Sequence, residues 1–339
     1  MNYPRNNHIE QYGGWQFLMW IVLLAALYGR LFESMHTSPD FPQYVAITEE
    51  LVHLGLMDLF PFETLSRGLL WLSALILGDP LDGVIALHWV LTLGFVYGFV
   101  LLTRLRRNNW HGALMVMAAY GVLLCFVTVR ATPAYLIATY AVMQHRYRPR
   151  MAFFLLILAS EFHVSALMAL PAMLINQVSW NYTTLVRERI SMALFLAGLG
   201  SYVAVLMGFN YADVFGVFFG GYEDLAKFMV YAEDPMAASF AHRFYFILVT
   251  ILTLLFVLGK SKLVTDQKMY VCISYLIYSL ASFSPVVAYR QSIYFVIPLL
   301  LIYPWRQIFS SEIRVMFFIF GCLVVYCFNF ISIFHWQQV

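Results

Sequence analysis

Charge is what this sequence has least of. Only 11% of its 339 residues are charged, against 62% hydrophobic, and the mean hydropathy is +0.76. That balance is far from the one soluble globular domains keep, and it reads as a polytopic membrane protein. Cysteine is sparse too. Cys125, Cys272, Cys322 and Cys327 lie inside apolar runs without metal-ligand pairing, and the C-x4-C spacing of the last two fits small core residues. Neither a disulfide nor a metal is expected. A glycine-rich phosphate loop, a carboxylate triplet, an internal repeat and a low-complexity linker are all missing, so residues 1–339 read as one integral domain with no cofactor. The opening MNYPRNNHIEQYGG lacks the basic, apolar, small-residue order of a cleaved signal, and the first apolar run is expected to stay as an anchor.

What the chain has is long apolar runs separated by basic clusters. A hydrocarbon core of ~30 Å needs about 20 helical residues. Runs of that kind fall at 15–32, 81–103, 110–129, 131–144, 190–209, 244–259, 269–289, 291–305 and 315–334. Six basic groups lie between or beside them: Arg5; Arg104, Arg106 and Arg107; Arg146, Arg148 and Arg150; Arg187 and Arg189; Lys260, Lys262 and Lys268; Arg306 and Arg314. The excess of Lys and Arg on cytoplasmic loops places all six, and with them the amino terminus, in the cytoplasm.

Two stretches fit that topology only as partial or broken helices. Residues 61–78 are short and carry Glu63 and Arg67 at i, i+4 pairing distance. Residues 151–176 lie between two cytoplasmic clusters and must enter and return, as two short helices meeting near His163. Irregular backbone at membrane depth survives only against protein or a wet cavity. The same bookkeeping sends two segments outside: 33–60, an amphipathic stretch suited to the membrane face, and 210–242, where GGYEDLAKFMVYAEDP interleaves aromatics with acids. Rings cover the C–H faces of a sugar and carboxylates accept its hydroxyl protons, so Tyr222 and Glu223 are candidate glycan contacts. The plainer reading of that loop is an interfacial tyrosine belt.

Four arginines break the sidedness rule. Arg130, Arg243 and Arg290 fall at outer helix ends, and Arg67 joins them if 61–78 is re-entrant. One such arginine is ordinarily a snorkelling side chain. Several on one side, each costing on the order of 2.5 to 3.5 kcal/mol to insert, need an offsetting partner. Guanidinium offers a planar fork that matches phosphate oxygens, which points to an anionic lipid headgroup, a diphosphate above all. His163, two residues after Glu161 in an apolar run, either carries a proton near neutral pH or binds phosphate as a cation.

These residues sit in segments with a family likeness. VRATPAYLIATYAV, the basic HRYRPR and FLLILASEFHVSALMALPAML come in the order of an Arg-led helix, a basic turn and an FH-x-S-A-L segment. DFPQY, with Asp40 and Tyr44, follows a D-x3-Y pattern, and AYRQSIYF, with Arg290 and Tyr294, an R-x3-Y pattern. Together they resemble the EpsG-type and Wzy-type polysaccharide polymerases. Two positions depart: Arg130-Ala131 stands where the family has Arg-Gln, and Phe62-Glu63-Thr64 where it has Glu-Pro. The resemblance implies an all-α, GT-C-like multi-span glycosyltransferase of the inner membrane. Its donor and acceptor would be undecaprenyl-diphosphate-linked glycans, it would produce O-antigen, capsule or exopolysaccharide, and a chain-length regulator is a further partner. Nucleic acid is not an expected partner.

On this reading Arg130 and Arg290 are the main diphosphate clamps, with Arg243 and Arg67 as helpers. His163 is either a phosphate ligand or the base, with Asp40 and Glu161 as alternative bases. Tyr44, Tyr135 and Tyr294 join Tyr222 and Glu223 as glycan contacts. The rivals are an O-antigen ligase, which carries a longer late outer loop, and a non-catalytic flippase or transporter, in which internal repeats are common.

Overall fold

The computed structural model describes residues 40–54, 63–105, 110–128, 130–209, 211, 240–305, 308 and 311–335. The expected first span, 15–32, and nearly all of the outer loop, with Tyr222 and Glu223, lie outside the described residues. Among the described residues every regular element is helical. In chain order they are α1 (Asp40–Leu54), α2 (Thr64–Leu77), α3 (Pro80–Leu105), α4 (Trp110–Val122, continued by a π-helical turn over Leu123–Val127), α5 (Ala131–Gln144), α6 (Pro149–Phe162), α7 (Leu170–Ser179), α8 (Thr184–Leu206), α9 (Phe240–Leu258), α10 (Lys262–Leu280), α11 (Pro285–Ile302) and α12 (Glu312–His335). Within α3, Pro80–Phe99, and the whole of α8 are long and apolar enough to cross a bilayer. α8, α9 and α12 turn Leu196, Ile247, Phe317 and Phe320 outward, an apolar surface suited to lipid. This is an all-α membrane protein.

Proline sets several of the boundaries. Pro149 opens α6, Pro171 stands in the first turn of α7 and Pro285 opens α11, positions where the missing N–H costs nothing. The last of these corrects a span. The sequence reading ran one helix over 269–289 and began the next at Gln291, but α10 stops at Leu280 and α11 starts at Pro285 after a 3-10 turn over Ala281–Phe283. Arg290 therefore lies inside α11, in its second turn, and is not at a helix end.

Small residues decide which helices meet closely. α5 buries Ala131, Ala134, Ala138 and Ala141 on one stripe, and the facing α6 buries Ala152, Leu156 and Ala159. In a bilayer lipid is as apolar as leucine, so helices associate by close van der Waals approach, which small side chains allow. α2 and α3 form a tight antiparallel pair for a similar reason: a Cβ on Gly83 would fall 2.6 Å from the Ala74 backbone nitrogen. α1 buries Phe41, Tyr44, Thr48 and Leu51 at helical spacing against this pair and leaves Glu49 and Glu50 exposed.

The 151–176 stretch does turn back. α6 ends at Phe162, His163 is extended (φ −155, ψ 120), and a 3-10 segment over Val164–Ala169 leads into α7. The return is fixed by rings: α6 begins just after His145, and Trp180, just past α7, packs against the same His145 with centroids 4.9 Å apart. At that end of the bundle the Gln267 amide donates to the Val142 carbonyl at 3.1 Å and Arg187 donates to the Thr265 carbonyl at 2.7 Å. Arg146, Arg148, Arg150, Arg187 and Lys268 thus share one end. His163 and the start of α5 lie at the other, about 20 Å away along the 14 residues of α5.

Candidate functional site

The site forms where several parts of the chain meet: the start of α2, the start of α5, the break after α6, and the second and third turns of α11, with the first turns of α1 beside them. Glu63 caps α2 in the left-handed region (φ 57), and it is the non-glycine residue with positive φ among the described residues. Such a conformation is held only where surrounding contacts over-determine it. Here the contacts are on the carboxylate. Oε2 pairs with Arg130 Nη1 at 3.0 Å, and Oε1 accepts from the Val164 N–H at 3.3 Å. The sequence spacing set Arg67 at pairing distance from Glu63 as one way to neutralise the arginine. The structure instead puts the Glu63 carboxylate on Arg130, and leaves Arg67 half-buried one turn along α2, its N–H donating to the Glu63 carbonyl.

His163 lies beside this pair, its Nδ1 3.7 Å from Glu63 Oε1. Nδ1 also accepts from the Ser165 N–H at 3.2 Å and meets Ser165 Oγ at 2.7 Å. An Nδ1 that accepts from an amide N–H carries no proton in the neutral ring, so the neutral tautomer holds its proton on Nε2. The contact with Glu63 becomes an ion pair only when the ring gains a second proton. Ser165 Oγ continues to the Tyr294 hydroxyl at 2.7 Å, and the Tyr294 ring packs on Tyr135 with centroids 4.7 Å apart. The Tyr270 hydroxyl donates to the Tyr294 carbonyl at 2.8 Å, which fixes α11 against α10.

Asp40 and Tyr44, one turn apart on α1, face the same charges. The Arg130 guanidinium stands over the Tyr44 ring, 5.1 Å from its centroid, in cation–π range. Burial pushes the Asp40 carboxyl above its usual range, and the positive charges of Arg290 and then Arg130 oppose that shift. Burial, with the Asp40 charge adding to it, likewise pushes Tyr44 up to about 12, so it stays a neutral phenol. Arg290 and Arg130 are therefore both close enough for their charges to act on one carboxylate, although they come from α11 and the turn before α5.

Of the remaining sequence candidates, two stand apart from this cluster. Arg243 is exposed on α9, with Tyr202 as an electrostatic neighbour. Glu161 is half-buried on the last turn of α6, and among the described residues no hydrogen bond or ion pair reaches its carboxylate.

Sequence reasoning missed a second polar network on the same floor. The hydroxyls of Tyr120 and Tyr245 hydrogen-bond, Tyr245 continues to Ser292 Oγ at 2.6 Å, and the Tyr289 ring packs on Tyr245 at 5.1 Å. Gln291, next to Arg290, is wholly buried with both amide atoms lacking a hydrogen-bond partner among the described residues, and the Arg130 Nε–H is in the same position. Buried polar atoms ordinarily have partners, so both groups stand out. No local pattern marks this network: its members come from α4, α9 and α11 and are ordinary tyrosines and serines within apolar runs.

Among the described residues no group of His, Cys, Asp or Glu is placed to hold a metal ion. Fold and site together define a helical membrane protein that gathers arginines, one carboxylate pair and tyrosines at the end opposite its basic turns. The EpsG family model matches residues 14–338, essentially the whole chain, and the protein belongs to the EpsG family. Membership makes it a polysaccharide-polymerase-like membrane protein, as the resemblance of its segments implied. No curated protein and no solved structure matches the chain.

Proposed function

We propose that this protein is a GT-C-type glycosyltransferase that polymerises undecaprenyl-diphosphate-linked repeat units into a surface polysaccharide at the outer face of the inner membrane, with its amino terminus in the cytoplasm. The observation that carries the reading is the convergence of Arg130 and Arg290 on Asp40, at the bundle end away from the basic turns. Two planar guanidiniums around one anionic position suit a diphosphate. Glu63 occupies one arm of the Arg130 fork and stands in for part of that anion. The unpartnered Arg130 Nε–H is a further contact for a charged substrate.

In the transfer step the acceptor hydroxyl oxygen attacks the anomeric carbon of the donor glycan. The bond from that carbon to the diphosphate oxygen breaks, and its electron pair leaves with the diphosphate. The hydroxyl proton goes to Asp40, whose raised pKa makes it a better base than an exposed carboxylate. Arg130 and Arg290 hold the negative charge that develops on the leaving group, a kind of contact worth about 2.7–4 kcal/mol per donor elsewhere. With Nδ1 engaged by Ser165, His163 presents Nε2–H as a donor and positions the diphosphate. The rings of Tyr44, Tyr135 and Tyr294 supply faces for the sugars.

The test is reconstitution of the purified protein in liposomes with lipid-linked repeat units and no lipid A core. A ladder of lengthened lipid-linked glycan is the expected result. Units that stay at single length, or move across the bilayer unlengthened, overturn the reading.

A further inference from the structure

A second site lies at the opposite end of the bundle and does not depend on the polymerase reading. Between the basic turn after α5 and the end of α7 the surface opens into a groove of about 640 Å³. Its polar end is made by Arg146, Trp180 and Asn181, and its apolar wall by Leu174, Ile175 and Val178. The Arg146 guanidinium stands over the Trp180 ring, 4.7 Å from the centroid. Trp180 is held from behind, its indole N–H donating to the Asp266 carbonyl at 3.3 Å and its ring packed on His145. Arg146 therefore rests on a fixed platform and does not sweep freely through solvent.

The charge at this groove is uncompensated. The two acids nearby are already taken, Asp266 facing Arg187 at 3.9 Å and Glu188 facing Lys268 at 3.5 Å. Among the described residues no carboxylate pairs with Arg146, and it lies close enough to Arg187 for the two charges to repel. Arg148 and Arg150 on the same turn are exposed as well. Burial pushes the neighbouring His145 down to about 4, so that ring is neutral at pH 7 and the groove's cations are arginines. On the apolar side Leu174, Ile175 and Val178 remain about half exposed, each between 47% and 56%, on consecutive turns leading away from the charge. A soluble anion has no use for that wall. A molecule with an anionic phosphate head and hydrocarbon tails fits both parts.

We propose that the groove formed by Arg146, Trp180 and Asn181 with Leu174, Ile175 and Val178 is a binding site for an anionic phospholipid of the leaflet that faces the basic turns. The phosphodiester sits on the Arg146 guanidinium within reach of the Asn181 amide. One acyl chain lies along the α7 wall. An indole at the headgroup level is a usual interfacial anchor, as the half-buried Trp180 would be, and a basic residue there adds attraction for anionic lipid.

The full-length protein in neutral detergent tests this by lipid-binding titration, read as occupancy in intact-complex mass spectrometry and as thermal stabilisation. The probes are phosphatidylglycerol, phosphatidylcholine with matched chains, and free glycerol phosphate. Phosphatidylglycerol is expected to bind and stabilise, and the other two to do neither to a comparable degree. Arg146→Gln should weaken phosphatidylglycerol binding about fivefold, the usual worth of one basic contact. Asn181→Glu, which sets a carboxylate in the groove at an exposed position, should weaken it further. Arg314→Gln, a basic-end substitution outside the groove, should leave it unchanged. Equal binding of phosphatidylcholine, equal stabilisation by glycerol phosphate, an Arg314→Gln loss as large as that of Arg146→Gln, or full binding by both groove variants each overturns the proposal.

Discussion

Glu63 and Arg130, separated by 67 positions, meet at 3.0 Å with their side chains only 13% and 20% exposed. Removing one partner of a part-buried pair leaves the other charge uncompensated, and for fully buried pairs the cost reaches about 3–5 kcal/mol. If Glu63 also holds the place of the diphosphate, neutralising it has two separable effects. Glu63→Gln should lower thermal stability while lowering the KM for the lipid diphosphate, because the substrate no longer competes with a carboxylate. A raised KM would show that Glu63 orients Arg130 for the substrate and does not compete with it.

Arginine geometry supplies the second test. Arg130→Lys and Arg290→Lys keep the charge and lose the fork, and a charge-assisted hydrogen bond is worth about 1.5–3 kcal/mol, so each should reduce kcat/KM at least tenfold in protein that still inserts. Arg243→Lys, exposed beside Tyr202, should be nearly silent. Full polymer length in both clamp variants would end the clamp idea.

Asp40 makes a signed prediction about pH. Burial raises its pKa and Arg290 lowers it, so Arg290→Gln should raise it further. A base works deprotonated, and the acid limb of the residual kcat/KM profile should therefore move to higher pH in that variant. An acid limb that stays put would assign it to another group. The same shift bears on stability. The folded pKa lies above the unfolded 3.8, so the group's contribution is fully present below 3.8 and is lost as pH rises through the folded value. Asp40→Asn should raise the Tm at pH 7 while abolishing transfer.

The Ser165 contacts predict how His163 acts. His163→Ala should stop chain growth, whereas His163→Gln keeps a donor and should retain part of it. Ser165→Ala removes the Oγ contact and leaves only the backbone N–H on Nδ1, which should lower kcat with little change in KM, and Ser165→Thr should restore it. A KM effect equal to the kcat effect would make Ser165 a packing residue only.

Local physics made much of this readable in the chain. The apolar run interrupted by Glu161 and His163 between two basic clusters required a helix that breaks and returns, and His163 is where it breaks. Asp40, Tyr44, Arg130, Arg290 and Tyr294 stood in recognisable segments, and they do assemble. The boundary near Arg290 was misplaced because hydropathy does not change across Ser284 and Pro285, and only the proline marked the stop.

Composition and spacing by themselves determined that the chain is a helical membrane protein, which end of the bundle gathers the basic turns and where the irregular backbone lies, since hydrophobic length, charge sidedness and proline act locally. Which charge meets which was decided by tertiary structure alone. Glu63 had Arg67 four residues away and took Arg130 instead, because its left-handed backbone turns the carboxylate off the α2 face toward the start of α5 and the Val164 N–H. Glu161, two residues before His163 in the sequence, was left outside the cluster, because a helix one residue from its break presents nearby side chains in different directions. Pairing depends on directions in space, and those are fixed only when the helices pack.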